Sequence, residues 1–220
     1  MISTIKQTGP NCGIYALINR LCTLNGVHKT SKKNIDKIVL HLLDENKLKK
    51  GREGLIGYTL VGEFFDFSTF QKFIKVNIGA IHNNITNIKC DKEDNYEIEL
   101  KAINNFTDQE LISSIKKRES TVLFSIYKHP SQKKDKQHIN KDIKIDQVIS
   151  HWVAICDYDE KSSSFIVSDS NSKKTKMYTG EQLIDRNNQL TNKKFYWINI
   201  TPFIKGGCLI LIPLLKKLKN

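Results

Sequence analysis

Residues 7–24 read QTGPNCGIYALINRLCTL, and this stretch decides the first half of the fold. Apolar side chains recur at steps of three and four residues from Ile14 to Leu21, which predicts a helix with one apolar stripe. A Gly-Pro turn places its start near Cys12, and an Asn-Gly pair at 25 and 26 supplies the stop. Cys12 therefore lies at a helix N-terminus, where partial positive charge and unpaired backbone N–H groups favour a thiolate and can bind an oxyanion.

The rest of the chain predicts an α+β fold, with N-terminal helices packed on an antiparallel β-sheet. The sequence has no internal repeat and no convincing linker, so we expect one domain over residues 1–220. Further helices are predicted from a cap at Ser31 to Gly51, over residues 64–75, over residues 107–115 and over residues 180–186. Strands are predicted over residues 76–81, 96–103, 121–127, 151–156, 164–168 and 195–200.

A glutamine upstream of Cys12 adds a second catalytic element. The side-chain NH₂ of Gln7 can donate to the same developing oxyanion as the backbone N–H of Cys12. Gly9, Pro10 and Gly13 form a tight turn that leaves room for a substrate carbonyl to approach the sulfur. Together these residues predict the nucleophilic half of an acyl-transfer site.

The predicted base is His151, the best placed of the six histidines. It begins a strand, so it can stand at the rim of the sheet and face a helix N-terminus. A hairpin turn centred near Glu160 pairs residues whose numbers sum to about 320 to 322, so His151 falls opposite Asp169 or Asn171. Either side chain can accept a hydrogen bond from the imidazole and fix its tautomer. We expect Asp169 to do so, because it directly ends the apolar run, and Asn171 is the alternative.

These motifs resemble those of a known family. Gln-x4-Cys-Gly early in the chain, followed by His-Trp-Val-Ala-Ile and then Val-Ser-Asp-Ser-Asn, is similar to the pattern of papain-like cysteine peptidases, most closely the C39-like group. The resemblance covers two islands, roughly residues 5–25 and 149–185. It implies a papain-like fold and assigns the oxyanion donor to Gln7, the nucleophile to Cys12, the base to His151 and the orienting carboxylate to Asp169.

This chain departs from the family at two positions next to the implied site. The family often has Asp before its cysteine and Pro after its aspartate, where this chain has Asn11 and Ser170. Neither departure touches the chemistry directly. Both are compatible with a divergent member that carries out another acyl-transfer reaction.

We therefore expect a cysteine peptidase that hydrolyses a peptide or amide bond through a Cys12-His151-Asp169 triad, with Gln7 in the oxyanion hole. The alternatives are a glutamine deamidase or transglutaminase-type acyl transferase acting on a protein substrate, and a non-catalytic basic binding module. The Lys-, Asn- and Ile-rich composition resembles that of bacterial proteins from AT-rich genomes, in which stand-alone papain-like domains are often effectors or toxins. The expected partner is a protein or peptide substrate.

Composition argues against several other classes of protein. The 220 residues carry a formal net charge of +12, but no nucleic-acid-binding motif accompanies it, so we expect no nucleic acid. The five cysteines form no CxxC pair, and we expect no disulfide scaffold, no metal and no cofactor. The longest apolar run, residues 208–215, falls short of the roughly 20 residues that span a bilayer. Without a classical signal peptide, we expect a soluble protein of the cytoplasm or one delivered into another cell's cytosol.

Several other features are expected to serve the fold rather than the chemistry. Cys22 and Cys156 are predicted core residues, and Trp152 either packs in the core or covers the site. Residues 128–147 form a long polar loop, interpreted as a solvated segment or as a lid. The basic C-terminal tail is predicted to be solvated, with contact to a membrane surface as the alternative.

Overall fold

The computed structural model describes residues 2–27, 30–51, 54–59, 61–64, 67–86, 96–102, 109–117, 121–128, 149–189 and 196–202. The helices are α1 (Cys12–Leu24), α2 (Lys32–Glu45), α3 (Phe67–Thr86), α4 (Gln109–Lys116) and α5 (Gly180–Asn188). The strands are β1 (Lys49–Gly51), β2 (Gly54–Ile56), β3 (Tyr96–Ala102), β4 (Thr121–Lys128), β5 (Ile149–Asp159), β6 (Ser164–Ser168), β7 (Lys176–Tyr178) and β8 (Tyr196–Pro202).

The strands of the described ranges form two sheets. β1 and β2 pair as a small antiparallel ladder, and the other six strands make one sheet in the order β3-β8-β4-β5-β6-β7. Every neighbouring pair in the larger sheet is antiparallel. The predicted α+β class with an antiparallel sheet is therefore confirmed.

Two hydrophobic clusters lie on opposite faces of the larger sheet. Side chains alternate between faces along a strand. On β5, Trp152 and Ala154 belong to the cluster built with α1, α2 and α3, whereas Val153 and Ile155 belong to the cluster built with α4 and α5. Each face of the sheet is thus covered by helices, and β5 contributes to both cores.

Helix α1 is the centre of its layer. Every residue from Cys12 to Thr23 is buried, and not only those of the predicted apolar stripe. Its polar side chains bond to neighbouring backbone: Asn19 Oδ1 accepts from Ile5 N at 2.6 Å, and Asn19 Nδ2 donates to Ile5 O at 3.0 Å. This two-bond clamp holds the N-terminal segment beside α1, because both backbone groups of one residue are engaged.

Helix α2 begins at its predicted cap but ends earlier than predicted. Ser31 Oγ accepts from Asn34 N at 3.2 Å, and the helix stops at Glu45 rather than at Gly51. At the stop, Asn46 Nδ2 donates to Leu42 O at 2.8 Å and to Asn77 Oδ1 on α3 at 3.0 Å. A side-chain amide that bonds a nearby backbone carbonyl competes with the hydrogen bonds that would extend the helix. The amide of Asn46 is held in this position by Asn77, which is distant in the sequence.

Residues 76–81 are helical, so the predicted strand there is wrong. They continue α3, whose buried side chains include Phe73, Asn77, Ile81 and Ile85 at four-residue spacing. The six letters VNIGAI alternate locally as a strand would, and only a longer window reveals the helical period. β3 does begin at Tyr96, as predicted.

Within the described part of the chain, none of the helices combines the length and apolar character that a membrane crossing requires. Two earlier predictions fall outside the described residues: those for most of the 128–147 loop and for the C-terminal tail.

Candidate active site

Cys12 opens α1, as predicted, and is 8% exposed. The first backbone bond of the helix runs from Tyr15 N to Asn11 O at 3.2 Å. The N–H groups of residues 12–14 therefore have no acceptor within the helix. These N–H groups and the helix dipole place positive potential beside the Cys12 sulfur.

Asn11 occupies the N-cap position without capping the helix. No side-chain cap bond is present, and Asn11 Oδ1 is buried with no hydrogen-bond partner among the described residues. Gly62 lies directly against it: a Cβ at position 62 would be 2.6 Å from Asn11 Cβ, and Gly62 has a φ of +90°. A glycine in the left-handed region thus allows the loop before α3 to approach the residue preceding the cysteine.

Strand β5 approaches Cys12 through its backbone. Trp152 N donates to Cys12 Sγ at 3.3 Å, and an N–H aimed at sulfur stabilises negative charge on it. The Trp152 indole is 2% exposed, donates from Nε1 to Phe64 O at 2.9 Å, and packs against the ring of Phe70 at a centroid distance of 4.6 Å. The structure therefore places Trp152 in the core, where it anchors the strand that carries His151.

His151 and Asp169 form a buried pair. His151 Nε2 donates to Asp169 Oδ1 at 2.7 Å, and the two side chains are 3% and 2% exposed. Burial would lower the pKa of His151, but hydrogen bonds with Asp169 and with Cys12, together with their charges, raise it above its usual value of 6.5. Burial would raise the pKa of Asp169, but the bond from His151 and the positive charges around the carboxylate hold it well below 3.8. The pair favours an imidazolium beside a carboxylate.

The route by which Asp169 reaches His151 differs from the predicted one. The β5–β6 ladder ends at Ala154 opposite Ser168, and His151 itself pairs with Ile126 on β4. Asp169 lies just after the end of the ladder, in the turn that leaves β6. The predicted pairing across the ladder is therefore not observed at His151, although both candidate residues, Asp169 and Asn171, lie in the turn that contacts its ring.

Asn171, the alternative partner, also touches the imidazole. Asn171 Nδ2 is 3.3 Å from both His151 Nδ1 and His151 Nε2, so the amide lies beside the ring instead of along one lone pair. Its backbone N donates to Asp169 Oδ1 at 2.9 Å. Asp169 therefore makes the direct bond, and Asn171 packs beside the ring and supports the carboxylate.

Lys176 is a site residue that the sequence analysis missed. Its Nζ donates to Asp169 Oδ2 at 2.5 Å, so the two carboxylate oxygens are divided between His151 and Lys176. The Lys176 side chain is 40% exposed and lies on β7, a three-residue strand that was not predicted. One lysine among many carries no distinguishing pattern, and only the pairing of β6 with β7 brings it to the carboxylate.

Gln7 joins the site through Ser170. Gln7 N donates to Ser170 O at 2.7 Å, and Ser170 Oγ donates to Gln7 Oε1 at 2.5 Å. Gln7 Nε2 donates to Gly9 O at 2.8 Å, which uses one of its two N–H bonds. The structure thus brings Gln7 against the residue that follows Asp169, and the second N–H of Gln7 Nε2 makes no hydrogen bond to any residue that the structure describes.

The turn that precedes Cys12 is tied to α2 as well. Lys32 Nζ donates to Thr8 Oγ1 and to Asp36 Oδ2, both at 2.5 Å. Tyr15 donates its hydroxyl to the other oxygen of Asp36, and burial together with Asp36 raises the pKa of Tyr15 to about 12. These bonds hold the turn before Cys12 against α2. The buried Tyr15 hydroxyl stays protonated at neutral pH and therefore keeps donating to Asp36.

Two other cysteines provide a contrast within the same protein. Cys22 is fully buried and Cys156 is 1% exposed, which confirms their predicted place in the core. Burial raises the pKa of the Cys22 thiol to about 12 and also raises that of Cys156. Both thiols are therefore protonated and enclosed at neutral pH.

Across the described residues, no three His, Cys, Asp or Glu side chains cluster as a metal site would require.

Comparison with known proteins adds little to this geometry. No protein-family model matches the chain, and no curated protein does so either. Among solved structures, a crystal structure from Bacillus anthracis named "putative C39-like peptidase" matches over 92% of this chain and 95% of its own. The identity is 12% and the TM-score is 0.46, a similarity too loose to carry an argument about this chain.

Proposed function

We propose that this protein is a cysteine hydrolase that cleaves a peptide or amide bond, with Cys12 as nucleophile, His151 as base and Asp169 as the group that orients the imidazole. The observation that carries the proposal is the placement of these groups: Trp152 N, next to His151 on β5, donates to the Cys12 sulfur at 3.3 Å, and His151 Nε2 donates to Asp169 Oδ1 at 2.7 Å. The proximity of Asp169 and Cys12 raises the pKa of His151 in spite of its burial.

The geometry supports the following reaction. His151 takes the proton of the Cys12 thiol, and the sulfur attacks the substrate carbonyl carbon, so that a C–S bond forms and the carbonyl oxygen becomes an oxyanion. Backbone N–H groups at the start of α1 and the remaining N–H of Gln7 stabilise that oxygen. The oxyanion then collapses, the C–N bond breaks, and His151 returns the proton to the leaving amine.

Water completes the cycle in the hydrolase reading. It adds to the thioester as His151 removes its proton, and the C–S bond breaks to release the carboxylic acid and restore the thiol. Asp169 stays ionised throughout, because its pKa is held well below 3.8. If an amine replaced water at this step, the same groups would carry out transamidation, so the acceptor and not the triad separates hydrolase from transferase.

The test is the rate of iodoacetamide labelling at each cysteine between about pH 5 and pH 9. Cys22 and Cys156 serve as internal references, since both are enclosed in the core. We expect Cys12 to react at least about 100-fold faster than either at about pH 7, and to retain that reactivity into the acidic range. Peptide mapping by mass spectrometry assigns each rate to its cysteine.

Substitution of the base makes the test specific. His151→Ala should slow Cys12 labelling at neutral pH by about tenfold or more, because the thiolate loses its cationic partner. His41→Ala is the matched control: His41 is an exposed histidine on α2, and its loss should leave the rate unchanged. Equal, slow labelling of Cys12, Cys22 and Cys156, with no dependence on His151, would refute the catalytic proposal and favour a binding module.

A further inference from the structure

Ser170 is a fully buried hydroxyl in the turn that carries both partners of the imidazole. It lies between Asp169 and Asn171 and has no exposed surface. Its backbone oxygen accepts from Gln7 N at 2.7 Å, and its Oγ donates to Gln7 Oε1 at 2.5 Å. No other side chain described here bonds to the carbonyl end of the Gln7 amide.

The hydrogen bonds decide which end of the Gln7 amide faces which way. The two ends of a primary amide have nearly the same shape, so only their partners distinguish the oxygen from the nitrogen. Gly9 O can only accept, and it takes an N–H from Gln7 Nε2 at 2.8 Å. The Ser170 hydroxyl holds the opposite end by donating to Oε1. Nε2 is therefore held against Gly9, in the turn that joins Gln7 to Cys12.

The turn after β6 is itself held firmly to the N-terminal segment. Ser168 Oγ donates to Ser3 O at 2.9 Å, and Thr4 Oγ1 donates to Lys173 O at 2.7 Å. Together with the two bonds between Ser170 and Gln7, these contacts hold the N-terminal segment from Ser3 to Gln7 against the turn. A donor held at both ends loses little conformational entropy when it binds an oxyanion, and this preorganisation is what such a donor needs.

We propose that Ser170 is a positioning residue for the oxyanion donor: it clamps the carbonyl end of the Gln7 amide so that an N–H of Nε2 is presented beside Cys12. The inference rests on the proposed function. It adds that three consecutive residues serve both halves of the site, since Asp169 bonds His151, Ser170 holds Gln7, and Asn171 packs beside the imidazole.

Two reagents separate oxyanion stabilisation from thiol reactivity. p-Nitrophenyl acetate acylates the cysteine: the sulfur adds to the ester carbonyl, an oxyanion forms, the C–O bond breaks, and p-nitrophenolate leaves while the thiol proton passes through His151 to water. Iodoacetamide alkylates the same sulfur by direct displacement of iodide, with no oxyanion. The acylation rate is measured as the burst of p-nitrophenolate, with Cys12→Ser as the background.

Ser170→Ala should slow acylation by about 10- to 100-fold, less than the roughly 100- to 1,000-fold expected for removal of an oxyanion donor. It should change alkylation by less than about twofold, because His151 and Asp169 are untouched. Ser164→Ala is the matched control, since it removes another buried hydroxyl of β6 that bonds Ser162 O at the opposite end of the strand and does not contact the N-terminal segment. It should leave both rates unchanged.

The role of Gln7 is tested by combining substitutions. If Ser170 acts through Gln7, adding Ser170→Ala to Gln7→Ala should cause no further loss of acylation. Wild-type acylation in Ser170→Ala, equal losses with both reagents, or an additive loss in the double variant would each overturn the proposal. Ser170→Cys keeps a side chain of similar shape with a weaker hydrogen-bond donor, so it should show a smaller loss of acylation rate than Ser170→Ala. If Ser170→Ala is folded by circular dichroism and acylates at the wild-type rate, the positioning role of Ser170 is refuted.

Failure of the proposed function gives a different result. In that case Cys12 of the unsubstituted protein reacts with neither reagent faster than Cys22 or Cys156, and the positioning role falls with it. If Cys12 alkylates rapidly but Ser170→Ala changes nothing, the nucleophile stands and only the role of Ser170 is refuted.

Discussion

Replacing Lys176 with methionine should raise the pKa of His151. Lys176 Nζ and His151 Nε2 bond to the two oxygens of one carboxylate, at 2.5 Å and 2.7 Å. Two cations therefore share the charge of Asp169. Lys176→Met keeps the length of the aliphatic stem and removes one cation, so the remaining negative potential acts on the imidazolium alone.

The size of the effect follows from the separation. Because both bonds end on one carboxylate, the two cationic nitrogens lie within about 7 Å, where unit charges interact by roughly 0.6 kcal/mol in water and roughly 2.4 kcal/mol at an effective dielectric of 20. The Lys176 side chain is 40% exposed, so solvent screening favours the lower part of that range. At about 1.4 kcal/mol per pKa unit, we expect a rise of about half a unit to one unit.

The assay is an NMR titration of the His151 ring in a Cys12→Ala background, so that the signal reports on the imidazole without the neighbouring thiol. Lys174→Met is the control, because Lys174 is an exposed lysine in the same turn that bonds Ser172 through its backbone N. The control should leave the pKa of His151 within about 0.2 units. An unchanged or lowered pKa in Lys176→Met would refute the idea that Lys176 shares the carboxylate charge.

Two further predictions concern stability. In the folded state the pKa of Asp169 is below 3.8 and the pKa of His151 is above 6.5, so the pair should stabilise the fold most between about pH 4 and pH 6.5. The stabilisation from the Asp169 carboxylate is lost as the pH falls below that range. The stabilisation from the His151 imidazolium is lost as the pH rises through its folded-state pKa. In Asp169→Asn the denaturant midpoint should depend less on pH than in the unsubstituted protein. An unchanged pH dependence would contradict the coupling between this pair and the free energy of unfolding. Gly62→Ala should destabilise by about 1 to 3 kcal/mol, because its Cβ would meet Asn11 Cβ at 2.6 Å with φ at +90°. Gly79→Ala, whose Cβ meets nothing within 4 Å on α3, should instead stabilise by about 0.5 to 1 kcal/mol, and equal effects at the two glycines would show the reasoning wrong.

Long, periodic elements were predictable because their signal is local. The apolar spacing after Cys12 predicted the bounds of α1, Cys12–Leu24, and the two apolar runs at 151–156 and 164–168 predicted the strands of the β5–β6 hairpin. The secondary structure of short or ambiguous stretches was not predictable in this way, because it depends on partners that are distant in the sequence. Residues 76–81 read as a strand yet extend α3, and residues 176–178 form a strand because β6 lies beside them.

The sequence by itself determined which residues are candidates for chemistry at this site: a cysteine at a helix start, a glutamine before it, and a histidine whose hairpin limits its partner to Asp169 or Asn171. These follow from helix periodicity and strand register, which act over a few residues. Tertiary structure decided the contacts between them. Asp169 bonds His151 because the chain leaves the ladder after Ser168, and Ser170 and Lys176 join the site because the N-terminal segment and β7 pack against that turn. Ser170 and Gln7 are 163 positions apart in the sequence, and no local pattern predicts a contact across that separation.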